Sequence, residues 1–250
     1  MKKSVCFVLI IQLMFTACMN NSSDASGSFD AFLEKWDELS SYPNVCTSVA
    51  DAFIFPENWT REDLDNFANL PDAIFCSMST CGLLKTLLEH PTNRMTGPWC
   101  FYCNSNDLPG VTMFNNKLRS DKVVVELFER DDCFSVLASK YLTIIKEKKE
   151  IDFQIRYFEM LLASDMCMTA LNEKEKIMLM AMAMALGKKG YDTDFLSSTP
   201  YIMIAIMRAC NYTPFINEVS SNLVECTWGY CNINEYDILK YAERFLNEKK

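Results

Sequence analysis

The chain predicts an all-α fold, built either as irregular stacked helical hairpins of the α-solenoid kind or as a helical bundle. Two observations carry this expectation. Only 7 of 250 residues are glycine, under half the usual share of about 7%, whereas sandwiches and barrels consume glycine at their many turns. Apolar residues also recur at spacings of 3, 4 and 7, as in Phe29, Phe32, Leu33, Trp36 and Leu39, which share one face of a helix.

The next helix starts at Thr60-Arg61-Glu62-Asp63, a capping residue with an acid at the third helical position, ahead of Leu64, Phe67, Ala68 and Leu70. Glu62, Asp63 and Asp65 are read as helix-start acids rather than as paired catalytic carboxylates, because negative charge in a first turn complements the helix dipole. Further helices are expected at about 72–89, 121–130, 133–147, 151–163, 173–187, 200–209, 214–225 and 234–248. Asp131-Asp132, Asn172, Thr199-Pro200, Thr213-Pro214 and Asn234 mark starts, and Gly187, Gly190 and His90-Pro91 mark stops. The stretch 91–118, rich in Asn, Pro and Gly, reads as one long surface loop.

Leu-ended helices followed by a turn and a cysteine recur in LSSYPNVCTSV, LPDAIFCSMST, LFERDDCFSVL and LLASDMCMTAL, placing Cys46, Cys76, Cys133 and Cys167 alike. The pattern resembles helical-hairpin repeats of the HEAT or tetratricopeptide kind, without their signature residues. The segment Ile177 to Leu186 is apolar on every side. At ten residues it is too short to span a bilayer, so it is expected in the middle of the domain with methionines filling irregular gaps. Met178, Met180, Met182 and Met184 do not form a Cu(I) site, because alternate helical positions point about 200° apart.

The amino terminus carries Lys2 and Lys3, an apolar run from Val5 to Phe15 interrupted only by Gln12, and then Thr16-Ala17-Cys18. Basic residues ahead of a short apolar run make a secretory signal. Its ending resembles the lipobox of bacterial lipoproteins, in which small residues precede the cysteine that receives lipid. The resemblance covers residues 1–18. It implies a signal peptide at 1–17, a diacylglycerol thioether and an amide-linked acyl chain on Cys18, and a place in the cell envelope, at the outer membrane in preference to the inner. Several chains at about 0.8 kcal/mol per methylene anchor stably without a transmembrane helix. Residues 18–28 are polar and read as a flexible tether, whose ten residues after Cys18 reach about 17 Å. A single helical domain then occupies 29–250.

Removing Lys2 and Lys3 with the signal takes the 24 basic residues to 22 against 33 acids, a formal charge of −11. That sign argues against nucleic acid and against electrostatic adhesion to anionic lipid. The expected membrane contact is therefore through the N-terminal lipid alone.

Of 12 cysteines, all but Cys6 and Cys18 belong to the body, an even number in a compartment that permits disulfides. Cys76 with Cys81, Cys100 with Cys103, and Cys226 with Cys231 are close in sequence. Trp99-Cys100-Phe101-Tyr102-Cys103 resembles the W-C-x-x-C of thioredoxin-type oxidoreductases, which implies an attacking and a resolving thiol. Neither the preceding strand nor the following helix of that family is expected here. Cys76, Cys81, Cys100 and Cys103 also offer four thiolates for zinc. Structural disulfides, redox chemistry and zinc stay open for these residues, with disulfides favoured. Cys133, Cys167 and Cys210 sit among apolar neighbours and read as small buried hydrophobes.

The sole histidine, His90, ends a helix before Pro91, where a cation favours the last carbonyls. No nucleophile elbow, dinucleotide fingerprint or P-loop occurs, and no cofactor or metal is expected. The functional expectation is a noncatalytic binding or scaffolding protein of the envelope. It would hold a protein or glycan through its helical surface and the loop carrying Trp99, Phe101, Tyr102 and Met113. The alternatives are an envelope thiol-disulfide oxidoreductase using Cys100 and Cys103, and a cysteine-based metal-binding lipoprotein.

Overall fold

Thirteen helices and no strand make up the residues that the computed structural model describes, 51–96, 109–147, 153–188, 199–218 and 235–249. The expected helix at Phe29 to Leu39 lies outside them, as do the signal and tether. Among the described residues no helix is long and apolar enough to cross a membrane. In chain order the helices are α1 (Arg61–Ala68), α2 (Asp72–Ser77), α3 (Thr80–Glu89), α4 (Pro91–Thr96), α5 (Pro109–Ser120), α6 (Lys122–Phe128) and α7 (Cys133–Glu147). The chain continues through α8 (Phe153–Leu162), α9 (Asp165–Ala170), α10 (Glu173–Lys188), α11 (Thr199–Ala209), α12 (Thr213–Glu218) and α13 (Glu235–Lys249).

Side chains write the helix starts. Thr60 accepts the Asp63 amide, and Asp63 Oδ2 accepts the Thr60 amide at 2.7 Å, a reciprocal box that opens α1. Asn172 and Glu175 do the same for α10, with amide contacts of 3.0 and 2.9 Å. Asp121 accepts from Val123 and Val124 at the start of α6. At its other end α11 closes on Asn211, held at φ 49°. There the Asn211 amide bonds to the Arg208 carbonyl and the Tyr212 amide to the Met207 carbonyl, the paired bonds of a Schellman motif.

Two expectations need correction. The helix expected at 72–89 is two helices, broken at Met78, whose ψ of 149° is extended. Ser79 caps the second by accepting the Gly82 amide, and the Arg130 guanidinium takes the terminal carbonyls of the first at Phe75, Cys76 and Met78. Both ends created by the break are thus satisfied. The loop expected at 91–118 is helical at each end, in α4 and α5. Pro91 and Pro109 are first helical residues there, a position where a missing N–H costs nothing. Met113 accordingly belongs to a helix, and Trp99, Cys100, Phe101, Tyr102 and Cys103 lie outside the described residues.

Packing follows chain order. α6 packs on α2, α3 and α5, and α7 and α8 both pack on α3. In turn α7 meets α10 and α8 meets α11, while α10, α11 and α13 pack on one another. These principal contacts run between groups adjacent along the chain, and one contiguous buried cluster extends from Phe67 to Leu246. α10 is enclosed on all sides: every residue from Met178 to Leu186 is buried. Each Met or Leu there contributes roughly 1.5–3 kcal/mol relative to exposure. Gly187 at its end permits the close approach of α13, since a Cβ would stand 3.0 Å from Leu239 Cδ2.

One charged-type residue sits wholly inside this core. Glu159 on α8 is 0% exposed and its Oε1 accepts from Tyr141 Oη at 3.2 Å and from Thr199 Oγ1 at 2.7 Å. A buried carboxyl is tolerated only with such partners. The three residues tie α7, α8 and the first turn of α11 at one point. Removing either hydroxyl takes one hydrogen bond from this buried carboxyl, so Tyr141→Phe and Thr199→Val should each lower stability by about 1–3 kcal/mol. Urea unfolding of the two variants and the double variant measures this, and losses within about 0.5 kcal/mol of zero would show that the node does not hold the helices.

Candidate cleft between α5, α9 and α11

The α8–α9 turn is the point at which the core fails to close. Ser164 caps α9 by accepting the Cys167 amide at 3.2 Å and itself donates to the Leu161 carbonyl at 2.6 Å, so the chain reverses there without an unsatisfied hydroxyl. Across from it stand α5 and α11, and the gap between the three is a cleft of about 320 Å³. Its deep side chains are Phe114, Met160, Met168 and Ile204, all buried. Ala163 and Ala205 are the small, half-buried residues that leave the opening.

Polar groups are few and placed. Asn115 on α5 is 5% exposed, and its Oδ1 accepts the Asp165 amide at 3.2 Å. Asp165 stands exposed on the rim, paired with Arg119 at 3.3 Å. Arg208 contributes a guanidinium from the last turn of α11, and Tyr201 lines the same wall. Beyond the Arg119–Asp165 pair a second, shallower groove of about 330 Å³ runs between α6 and α9, with Phe128 and Met166 among its apolar residues. The cleft is mostly apolar with a few fixed polar groups, which is the anatomy of a small-ligand site. Sequence reading missed it because its walls come from three segments far apart in the chain, each of which looks like ordinary amphipathic helix.

The residues singled out from the sequence fall elsewhere. Cys18, Trp99, Cys100, Phe101, Tyr102, Cys103, Cys226 and Cys231 lie outside the described residues, and the side chain of Met113 is likewise not described. Cys76 is an exposed free thiol whose Sγ donates to Glu126 Oε2 at 3.2 Å. Cys81 is disulfide-bonded. The two are therefore not joined to each other. Since Cys133, Cys167 and Cys210 are also free, the partner of Cys81 lies outside the described residues. Oxidation of Cys81 also removes one ligand from the four-thiolate zinc alternative, and among the described residues no cluster of three or more His, Cys, Asp or Glu is placed to hold a metal.

The thiols in the core are inert. Burial pushes Cys133 up to about 12, with Asp132 and Glu175 adding to the shift, and burial holds Cys167 far above its ordinary value. Around Cys76 the hydrogen bond to Glu126 comes first among the causes that raise its pKa. A nucleophilic cysteine needs the opposite environment.

His90 is not the helix-end cation expected from its position. Its ring packs edge-on against Phe55 at 4.8 Å and tilted over Phe67 at 5.3 Å, within a cluster that also holds Phe53 and Phe75. Its Nδ1 accepts from the Thr92 amide at 3.3 Å. Burial, followed by the positive charge of Lys117, lowers its pKa from 6.5 to about 4. The imidazole is neutral at pH 7 and packs within an aromatic cluster. No protein-family model, curated protein or solved structure matches the chain.

Two outcomes follow for these side chains. Brief alkylation of the folded protein should label Cys76 and spare Cys133 and Cys167, and peptide mass spectrometry that found either buried thiol modified first would contradict the burial. The single imidazole should titrate near pH 4 in NMR spectra. Because the unfolded chain binds its proton near 6.5, this group's contribution to stability is complete above pH 6.5 and is lost as pH falls toward 4. His90→Phe should flatten the stability profile across that window, and a midpoint of 6.5 in the folded protein would refute the assignment.

Proposed function

We propose that the chain is a lipid-anchored, noncatalytic binding protein of the bacterial cell envelope. Residues 1–17 direct export, Cys18 carries the acyl chains that meet the outer membrane in preference to the inner, and residues 18–28 hold the helical body away from the bilayer. The body binds a protein or glycan partner on the face where α5, α9 and α11 leave the core open, with the segment around Trp99 beside it in sequence. The observation that carries the reading is Thr16-Ala17-Cys18 at the end of a short apolar run behind two lysines. The disulfide at Cys81 fits an oxidising compartment. A neutral, half-buried sole histidine and inert core thiols fit a binding role better than a catalytic one.

Metabolic labelling with an acyl-chain precursor tests the anchor: Cys18→Ala should abolish both label and membrane retention, and a variant that keeps its label would overturn the assignment. Crosslinking on intact cells identifies the partner. Insulin reduction that disappears in Cys100→Ser would replace the binding reading with a thiol-disulfide exchange enzyme working through Cys100 and Cys103.

A further inference from the structure

Cys81 is oxidised, and Cys76, Cys133, Cys167 and Cys210 are free, so none of these four is its partner. The first turn of α3, which carries Cys81, is also where the described chain begins. Asp51 accepts the Ser79 amide at 2.5 Å and the Ser79 hydroxyl at 2.9 Å, and a Cβ on Gly82 would stand 2.5 Å from Asp51 Oδ1. Asp51 thus meets residues on both sides of Cys81. From there the chain runs beside α3 toward its other end. The Phe53 amide donates to Thr86 Oγ1 at 2.8 Å, and the Phe55 ring meets His90 at 4.8 Å.

A disulfide needs its two Cα atoms about 4.4–6.8 Å apart, so the partner must come from a segment that passes the first turn of α3. Two segments meet that turn by hydrogen bond. Asp132 does so through Thr80 Oγ1, but the cysteine next to it, Cys133, is free. Asp51 is the other, and Cys46 stands five residues ahead of it, a stretch that spans at most about 17 Å. Cys100 and Cys103 follow α4, which departs at Pro91 from the opposite end of α3. Cys226 and Cys231 come between α12 and α13 in sequence, and α13 packs on α10 and α11.

We infer that Cys46 and Cys81 form a disulfide that fastens the chain ahead of Asp51 to α3. In forming it the two thiols give up two protons and two electrons to the disulfide of an exchange partner, which leaves as two thiols. Tension on the amino-terminal end is then borne by α3 through a covalent bond, in place of the Asp51 and Phe53 hydrogen bonds alone. That mechanical consequence rests on the lipid-anchor reading, whereas the pairing does not. Acyl labelling at Cys18 and pairing at Cys81 are separate measurements, so either fails without the other.

Peptide mapping of the full chain, its thiols blocked at harvest and its disulfides left unreduced, is the test. Trypsin cleavage after Lys35, Arg61 and Lys85 leaves Cys46 in 36–61 and Cys81, with Cys76, in 62–85. Mass spectrometry should find these two peptides joined through Cys81, and the joined species should vanish on reduction. Peptide 62–85 joined instead to 95–117, which carries Cys100 and Cys103, or to 209–240, which carries Cys226 and Cys231, would overturn the inference. Recovery of 62–85 with both cysteines alkylated would do the same. In Cys46→Ser the Cys81 thiol should become open to alkylation in urea without reductant, while Cys100→Ser and Cys103→Ser leave it blocked. Release of Cys81 by either of the latter two would refute the pairing. Mapping of the unsubstituted protein decides the matter even where a variant misfolds.

Discussion

The carboxyl of Glu159 constrains more of this molecule than any other single group. It lies on α8 with no exposure to water, and the hydroxyls that satisfy it come from α7 and from the first turn of α11. Apolar packing alone tolerates rotation and sliding of helices by small amounts, because many arrangements bury similar area. A buried acceptor tolerates much less, since a shift of an ångström breaks its bonds. Met160, the next residue on α8, and the Tyr201 to Ala209 face of α11 are both walls of the cleft. The node inside the core and the opening on its surface thus share two helices, α8 and α11.

A similar division between closed and open runs through the fold. Contacts between neighbouring groups bury α10 completely and leave the faces of α5, α9 and α11 only partly covered. At the turn from Leu162 to Asp165, beside the opening, Ser164 donates to the Leu161 carbonyl and accepts the Cys167 amide.

Most of the helical architecture was legible in the sequence. The starts at Thr60 and Asn172 were readable because capping is local chemistry with a fixed three-residue spacing, and the burial of Met178 to Leu186 because an all-apolar helix has no other place to go. Failures arose where a distant residue decided the outcome. Nothing in residues 72–89 reveals that Arg130 captures the carbonyls at the break, so one helix was expected where two exist. Pro91 and Pro109 punctuate a sequence equally as loop residues or as first helical residues, and the difference depends on what packs next. His90 was expected as a helix-end cation because its aromatic neighbours Phe53, Phe55 and Phe67 are brought in from elsewhere. The cleft was invisible for the same reason: Asn115, Asp165 and Arg208 are ordinary residues until three helices bring them together.

The methionines of α10 carry a consequence for how the chain must reach its folded state. Four thioethers at positions 178, 180, 182 and 184 are sealed from solvent at 2% exposure or less. Once converted to sulfoxides they would be larger, polar and chiral, and a core this tightly filled has neither the volume nor the donors to receive them. The finished protein shields these sulfurs, whereas the nascent chain exposes all four to any oxidant it meets. Burial of this one segment is therefore what guards its sulfurs from chemical ageing, and a sulfoxide formed before folding would have to be accommodated where water does not reach.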